Sequence, residues 1–205
     1  MNALSNETKL KIEKTIKNLK ANKMDAYYCD NKEDACNLVK TLIKKGDVIS
    51  SGGSVTLKET GVYDIITSSD YKYLDRAAEG ITHEEVEEVY HKTFSSDVYF
   101  ASSNAITENG ELYNVDGNSN RVAAILYGPK SVILVCGYNK IVKNIDEAID
   151  RVKRIAAPSN TIRLNIETPC GKTCWRRLIK QASDREDWAD QPQHWRSILI
   201  HIPHI

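Results

Sequence analysis

Three carboxylates, Glu59, Glu108 and Asp116, stand in polar segments beside glycines and hydroxyl residues. In that setting a carboxylate with a tuned pKa can exchange protons with a bound substrate. Glu108 belongs to the densest polar run of the chain, from Ser102 to Arg121. Within it, Asn109-Gly110 predicts a two-residue hairpin turn, because a type I′ turn needs positive φ at both central positions. A two-residue loop sets Glu108 opposite Glu111, Ile106 opposite Tyr113 and Asn104 opposite Val115. Like charges directly opposite cost up to about 1 kcal/mol, which suits a ligand site better than a strand selected for stability alone. Glu111 would also raise the pKa of Glu108. The run leaves the hairpin through Asp116-Gly117-Asn118 into a helix beginning near Asn120-Arg121, whose free N–H groups favour an anion.

The second constellation is Ser50-Ser51-Gly52-Gly53-Ser54-Val55-Thr56-Leu57-Lys58-Glu59. It follows a predicted strand at its C-terminal end, the place where open α/β sheets bind ligands. Paired glycines let the backbone approach a ligand, Ser54 caps the next helix, and free N–H groups there attract phosphate or carboxylate. The spacing matches neither a nucleotide-triphosphate loop nor a dinucleotide fingerprint. The two segments predict a site for a small carboxylate or phosphate. Gly52, Gly53, Ser54 and Thr56 supply backbone and hydroxyl donors, Arg121 a charged clamp, and Asn104 and Asn120 orientation, with Glu108, Glu59 and Asp116 as acid/base groups. Three carboxylates also have a plain structural alternative: Glu59 as a solvated helix residue, Glu111 as a hairpin-edge charge, Asp116 as a turn former.

Alternating helices and strands must position these groups. Ile12, Ile16 and Leu19 share a helical face after Ser5-Asn6, and Met24–Tyr28 reads as a strand. Asn31 caps a helix with Ala35, Leu38, Val39, Leu42 and Ile43 inward, and Asp47–Ser50 is the next strand. Thr82 with Glu85 forms a capping box, and Val98–Ala101 and Ser131–Val135 read as strands, the latter covered on both faces. Asn144 with Glu147 caps a helix carrying Ile145, Ala148, Ile149, Val152 and Ile155, ended by Pro158. The fold class expected is α/β in three layers: a mainly parallel sheet, helices on both faces and one antiparallel hairpin at 104–115.

Composition narrows the partners. With 28 residues of each charge sign among 205, the chain lacks the basic footprint of a nucleic-acid or anionic-membrane binder. No stretch approaches the roughly 18 apolar residues of a span, and the first residues lack signal architecture, so a cytoplasmic protein is expected. Five scattered cysteines fit reduced thiols. His83 and His91, at i, i+8, do not form a helical metal pair, and the C-x₃-C of Cys170 and Cys174 has no second pair, so no metal site is expected.

The runs Gly52–Gly61, Ser103–Glu108, Tyr113–Ala123, Tyr127-Gly128-Pro129 and Gly137-Tyr138-Asn139-Lys140 together resemble the LUD-domain family, lactate-utilisation proteins of the LutC and YkgG types. The resemblance covers the chain from near its start to Thr168-Pro169-Cys170. It implies a NagB/RpiA/CoA-transferase-like fold and an association with lactate or small organic acid utilisation. The implied partners are a small anionic metabolite, an iron–sulfur protein and, as an option, a second copy of the chain; no cofactor follows from it. The alternative functions are a non-catalytic metabolite-sensing or accessory subunit of an iron–sulfur lactate-oxidising complex, and a sugar-phosphate isomerase or CoA-transferase-like enzyme. Against isomerisation, Asp116-Gly117 is followed by Asn118-Ser119-Asn120-Arg121 rather than by another acid pair.

The resemblance gives a domain at 1–170 and an atypical tail at 171–205. All three tryptophans and His194, His201 and His204 lie in that tail, an abrupt compositional shift. The expectation is a truncation scar, a frame-shifted extension or a cloning-derived segment without family function, the rival being a partner-binding tail.

Overall fold

The structure, a computed structural model, describes residues 4–165 and 197–203. The elements in order are α1 (Asn6–Ala21), β1 (Asp25–Cys29), α2 (Lys32–Leu42), β2 (Val48–Ser51), α3 (Val55–Glu59), α4 (Val62–Ile66), β3 (Lys72–Tyr73), α5 (His83–Thr93) and β4 (Val98–Ala101). They continue with β5 (Ala105–Thr107), β6 (Leu112–Tyr113), α6 (Asn120–Tyr127), β7 (Ser131–Gly137), β8 (Ile141–Val142), α7 (Ile145–Arg151), α8 (Ala157–Leu164) and β9 (Ser197–Pro203). The caps read from sequence form. Ser5, Asn31, Ser54 and Asn144 each accept a backbone N–H of the first helical turn, and Thr82 and Glu85 close a full capping box.

The protein is α/β, with a mostly parallel central sheet flanked by helices. The strand order is β1-β9-β7-β4-β2-β3, and β7, β4, β2 and β3 run parallel. Alternate side chains of each strand enter opposite cores. Tyr99, Ala101, Val132, Leu134 and Cys136 meet Ile12 and Leu19 of α1 and Ala124 and Ile125 of α6 on one face. On the other, Val98, Phe100, Ile133 and Val135 meet Val39 of α2, Leu57 of α3 and Val62 and Ile66 of α4. The hairpin stands outside this sheet, in a smaller one ordered β6-β5-β8. Among the described residues no helix is long and apolar enough to cross a membrane.

Three expectations need correction. The hairpin register is one residue off: Ile106 pairs with Leu112 and Ala105 with Tyr113. The loop therefore holds Glu108, Asn109 and Gly110, with Gly110 at φ 85° donating to Thr107 O. A three-residue loop with a left-handed glycine is the alternative to the two-residue turn, and docking on α1 selects it. Asn18 donates its side-chain amide to Glu108 O, and a Cβ on Gly110 would lie 2.7 Å from the Asn18 and Leu19 backbone. The two glutamates are thus not opposed. Glu108 pairs with Lys14 at 2.9 Å, and Glu111 accepts from Thr107 Oγ1 at 2.6 Å.

Pro158 does not end its helix. Residues Val152–Ala156 widen into a π-helical turn, with Ala157 N donating to Val152 O, and α8 continues with the proline in its first turn. The widened turn accommodates a residue that lacks an N–H and crowds the preceding carbonyls.

The scar reading fails for residues 197–203. β9 lies between β1 and β7, antiparallel to both, with Ile198, Leu199 and Ile200 fully buried. His201 ties it sideways, Nδ1 to Asp25 at 3.2 Å and Nε2 to Ser131 at 2.9 Å. The readings on Cys170, Cys174, Trp175, Trp188, Trp195, His194 and His204 lie outside the described residues.

Candidate functional site

Because β2, β4 and β7 run parallel and adjacent, their C-terminal ends share one edge of the sheet. Three loops leave from that edge: Gly52–Ser54 after β2, Ser102–Asn104 after β4 and Tyr138–Lys140 after β7. Lys140 joins all three, its Nζ lying 2.6 Å from Ser102 Oγ and 3.3 Å from Thr56 Oγ1. Burial pushes its ammonium group below the ordinary lysine pKa. Arg151 and Arg121 push the same way, and Cys136 and Glu59 oppose them. A cation held at reduced proton affinity among two guanidinium groups marks a place where a negative charge is wanted.

The glycine loop is shaped by contact. Gly52 donates its N–H to Phe100 O at 2.8 Å, so it offers no free donor. A Cβ there would meet Tyr99 Oη at 2.8 Å and Arg121 Cδ at 3.3 Å, so the residue must be glycine for steric reasons. Gly53 is exposed, and a Cβ on it would meet Arg76 Nη2 at 2.9 Å. Ser54 caps α3 through Leu57 N at 3.3 Å, and Thr56, buried, faces Lys140. Glu59 sits exposed at the rim. Burial raises its carboxyl pKa, and Lys32 and Lys140 pull it back.

The second wall is organised by Arg121. Its Nε and Nη2 pair with Asp116, its Nη1 donates to Ser102 O and Asn114 Oδ1, and its Nη2 also donates to Asn104 Oδ1 and Val115 O. The Arg121 and Asp116 side chains are 13% and 9% exposed, so the pair is a buried internal clamp on the segment. Asp116 also accepts Val122 N at 2.7 Å. It therefore serves the start of α6, where Ser119 adopts φ 62° and makes no side-chain cap. The anion expected at that helix start is the chain's own carboxylate. Asn104 bridges the hairpin ends, its Oδ1 accepting from Val115 N and Arg121 while its carbonyl accepts from Arg151.

The structure thus gathers Gly52, Thr56, Asn104, Asp116 and Arg121 at one edge, with Ser54 and Glu59 on α3. Glu108 is turned to α1 by Lys14. Asn120, the first residue of α6, faces elsewhere. It lines a small cavity of about 10 Å³ together with Ser50, Ser51, Arg76, Tyr90, Thr93 and Tyr99. Sequence reading missed Lys140 and Ser102 as site residues. Their signal was present, since Ser102 directly follows β4 and Lys140 ends the short turn after β7, both at the ligand-binding edge. Arg76 carried no comparable signal. Among the described residues, no group of His, Cys, Asp and Glu is placed to hold a metal ion.

Neither the curated proteins nor the solved structures return a match to this chain. The LUD domain matches residues 12–190, a span that contains the glycine loop, the Ser102–Arg121 segment and Lys140. Its fold is NagB/RpiA-like, as the parallel sheet with flanking helices is here. The chain belongs to the LUD-domain family.

Proposed function

We propose that this protein binds a small organic acid of lactate-utilisation chemistry at the edge formed by residues 51–59, 102–121 and Lys140. The observation that carries the reading is Lys140 spanning Ser102, at the end of β4, and Thr56, in the first turn of α3. A carboxylate there accepts from the ammonium group and both hydroxyls, in a field set by Arg121 and Arg151. Arg121 and Asp116 position the wall, and Asn104 holds the wall to the hairpin. The clamp role passes from Arg121 to Lys140.

A binding role is favoured over acid–base chemistry by what the carboxylates already do. Glu108 is paired with Lys14 and Asp116 with Arg121, leaving Glu59 as the candidate proton carrier beside Lys140. On this reading the chain is a metabolite-binding component, and a redox partner of the iron–sulfur class performs the oxidation.

The test is a thermal-shift screen against lactate, pyruvate, sugar phosphates and CoA esters, with Lys140→Gln as the control. A ligand at about 100 times its Kd stabilises by about 2.7 kcal/mol, which for this chain length raises Tm by roughly 5–10 °C. Lactate or pyruvate should give such a shift in the wild type and none at the same concentration in K140Q. No shift with any acid, or equal shifts in both proteins, contradicts the assignment.

A further inference from the structure

The small cavity that Asn120 lines has a role that the organic-acid reading does not assign. Tyr99, a residue only 2% exposed, is part of its lining. Among the described residues the Tyr99 hydroxyl makes no hydrogen bond, and it lies 2.8 Å from where a Gly52 Cβ would be. A buried hydroxyl without a partner is destabilising, so its retention in the lining of a cavity calls for an acceptor that enters from outside. Arg76 stands at the mouth. Its guanidinium rests on the Tyr90 ring, 5.8 Å from ring centroid to Cζ, with Nη1 3.4 Å from Tyr90 Oη, and Nη2 lies 2.9 Å from where a Gly53 Cβ would be. No carboxylate pairs with Arg76 among the described residues. Arg163 Nη2 lies 3.8 Å from the same Gly53 Cβ position. Asn120 and Ser51 complete a lining without a carboxylate. The space, about 10 Å³, admits one oxygen atom or a single water and not a whole phosphate.

We propose that this pocket is a second oxyanion subsite, in which one oxygen of a carboxylate or phosphate enters against Tyr99 while Arg76 binds the remainder at the mouth. Gly52 borders Tyr99, and the same β2–α3 segment reaches Lys140 through Thr56, so the substrate class becomes an organic acid bearing a second oxyanion. The inference rests on the organic-acid reading for the first group, and on Tyr99 and Arg76 alone for the second.

The experiment measures affinity by titration calorimetry for lactate, malate, 3-phosphoglycerate and inorganic phosphate in the wild type, Tyr99→Phe and Arg76→Gln. Malate or 3-phosphoglycerate should bind the wild type at least tenfold tighter than lactate, and the better of the two identifies the second group. Y99F and R76Q should each remove at least that tenfold advantage while leaving lactate within twofold. Y99F should melt no lower than the wild type, because a hydroxyl without a partner is exchanged for a hydrogen in an unchanged shape. The proposal falls if the two-group acids bind no better than lactate, if Y99F leaves their affinity unchanged, or if Y99F lowers Tm as loss of a structural hydrogen bond or water would. If lactate fails to bind while phosphate binds the wild type and not Y99F or R76Q, the first reading falls and the subsite stands.

Discussion

Burial, with Arg151 and Arg121 adding to it, makes Lys140 hold its proton less tightly than a free lysine does. Its folded pKa is lowered, so between that value and the ordinary lysine value the unfolded chain binds more protons. Stability therefore gains from Lys140 as pH rises through this window. On the proposed function, anion binding needs the ammonium form and should fall over the same window. Cys29, pushed up to about 11 by burial, acts in the opposite sense, losing stability above the ordinary thiol value. Subtracting the K140Q melting profile from the wild-type profile isolates the lysine. The difference should rise with pH on the alkaline side, and a flat difference contradicts the burial argument. The residue scale was only partly legible. Glu59, Glu108 and Asp116 were chosen because carboxylates in polar runs suit proton transfer, yet the tertiary partners Lys14 and Arg121 decide what Glu108 and Asp116 do. A sequence does not display such partners.

At the scale of elements, the Ser102–Arg121 segment is held at two points. At its base, Arg121 and Asp116 form a buried pair. Removing one member of such a pair strands the other charge, typically at a cost of about 3–5 kcal/mol. Arg121→Ala should therefore lose about that much stability in urea unfolding, with the start of α6 loosened through Asp116, and a loss below about 1 kcal/mol contradicts the clamp. At its tip, Gly110 combines a left-handed backbone with direct contact on α1. The left-handed conformation alone costs an alanine about 1–2 kcal/mol, and the clash adds to it. Gly110→Ala should cost about 2–4 kcal/mol and raise amide exchange in β5 and β6, whereas Asn109→Ala should be near neutral. Helices, strands and caps were readable because capping residues and apolar periodicity are local signals. The hairpin register was not, because docking on α1 chose between two turns that Asn109-Gly110 equally permits. The helix beyond Pro158 was likewise hidden, since a π turn relieves the proline by backbone geometry alone.

For the whole molecule, the strand nearest the C-terminus sits in the sheet's interior. β9 pairs on both sides and contributes to both cores, Ile198 and Ile200 to one and Leu199 to the other. Leu199→Ala should cost about 2–5 kcal/mol, lowering Tm by roughly 4–20 °C. A change near zero means that β9 is dispensable. The run Ile198–Ile202 has the composition of a buried strand, but it follows a segment rich in Trp and His that carries no strand or helix pattern of its own. Parallel topology was legible from the order of elements, and it is what places the three loops together. That Lys140 joins them depends on a side-chain reach that element order does not specify.

Lys140 is proposed to hold the substrate's anion, and direct calorimetry on one variant tests that role. Lactate or pyruvate titrated into the wild type should show saturable binding, weakened at least tenfold in Lys140→Gln, with the variant's Tm within a few degrees of the wild type. Equal affinity in the two folded proteins contradicts the account.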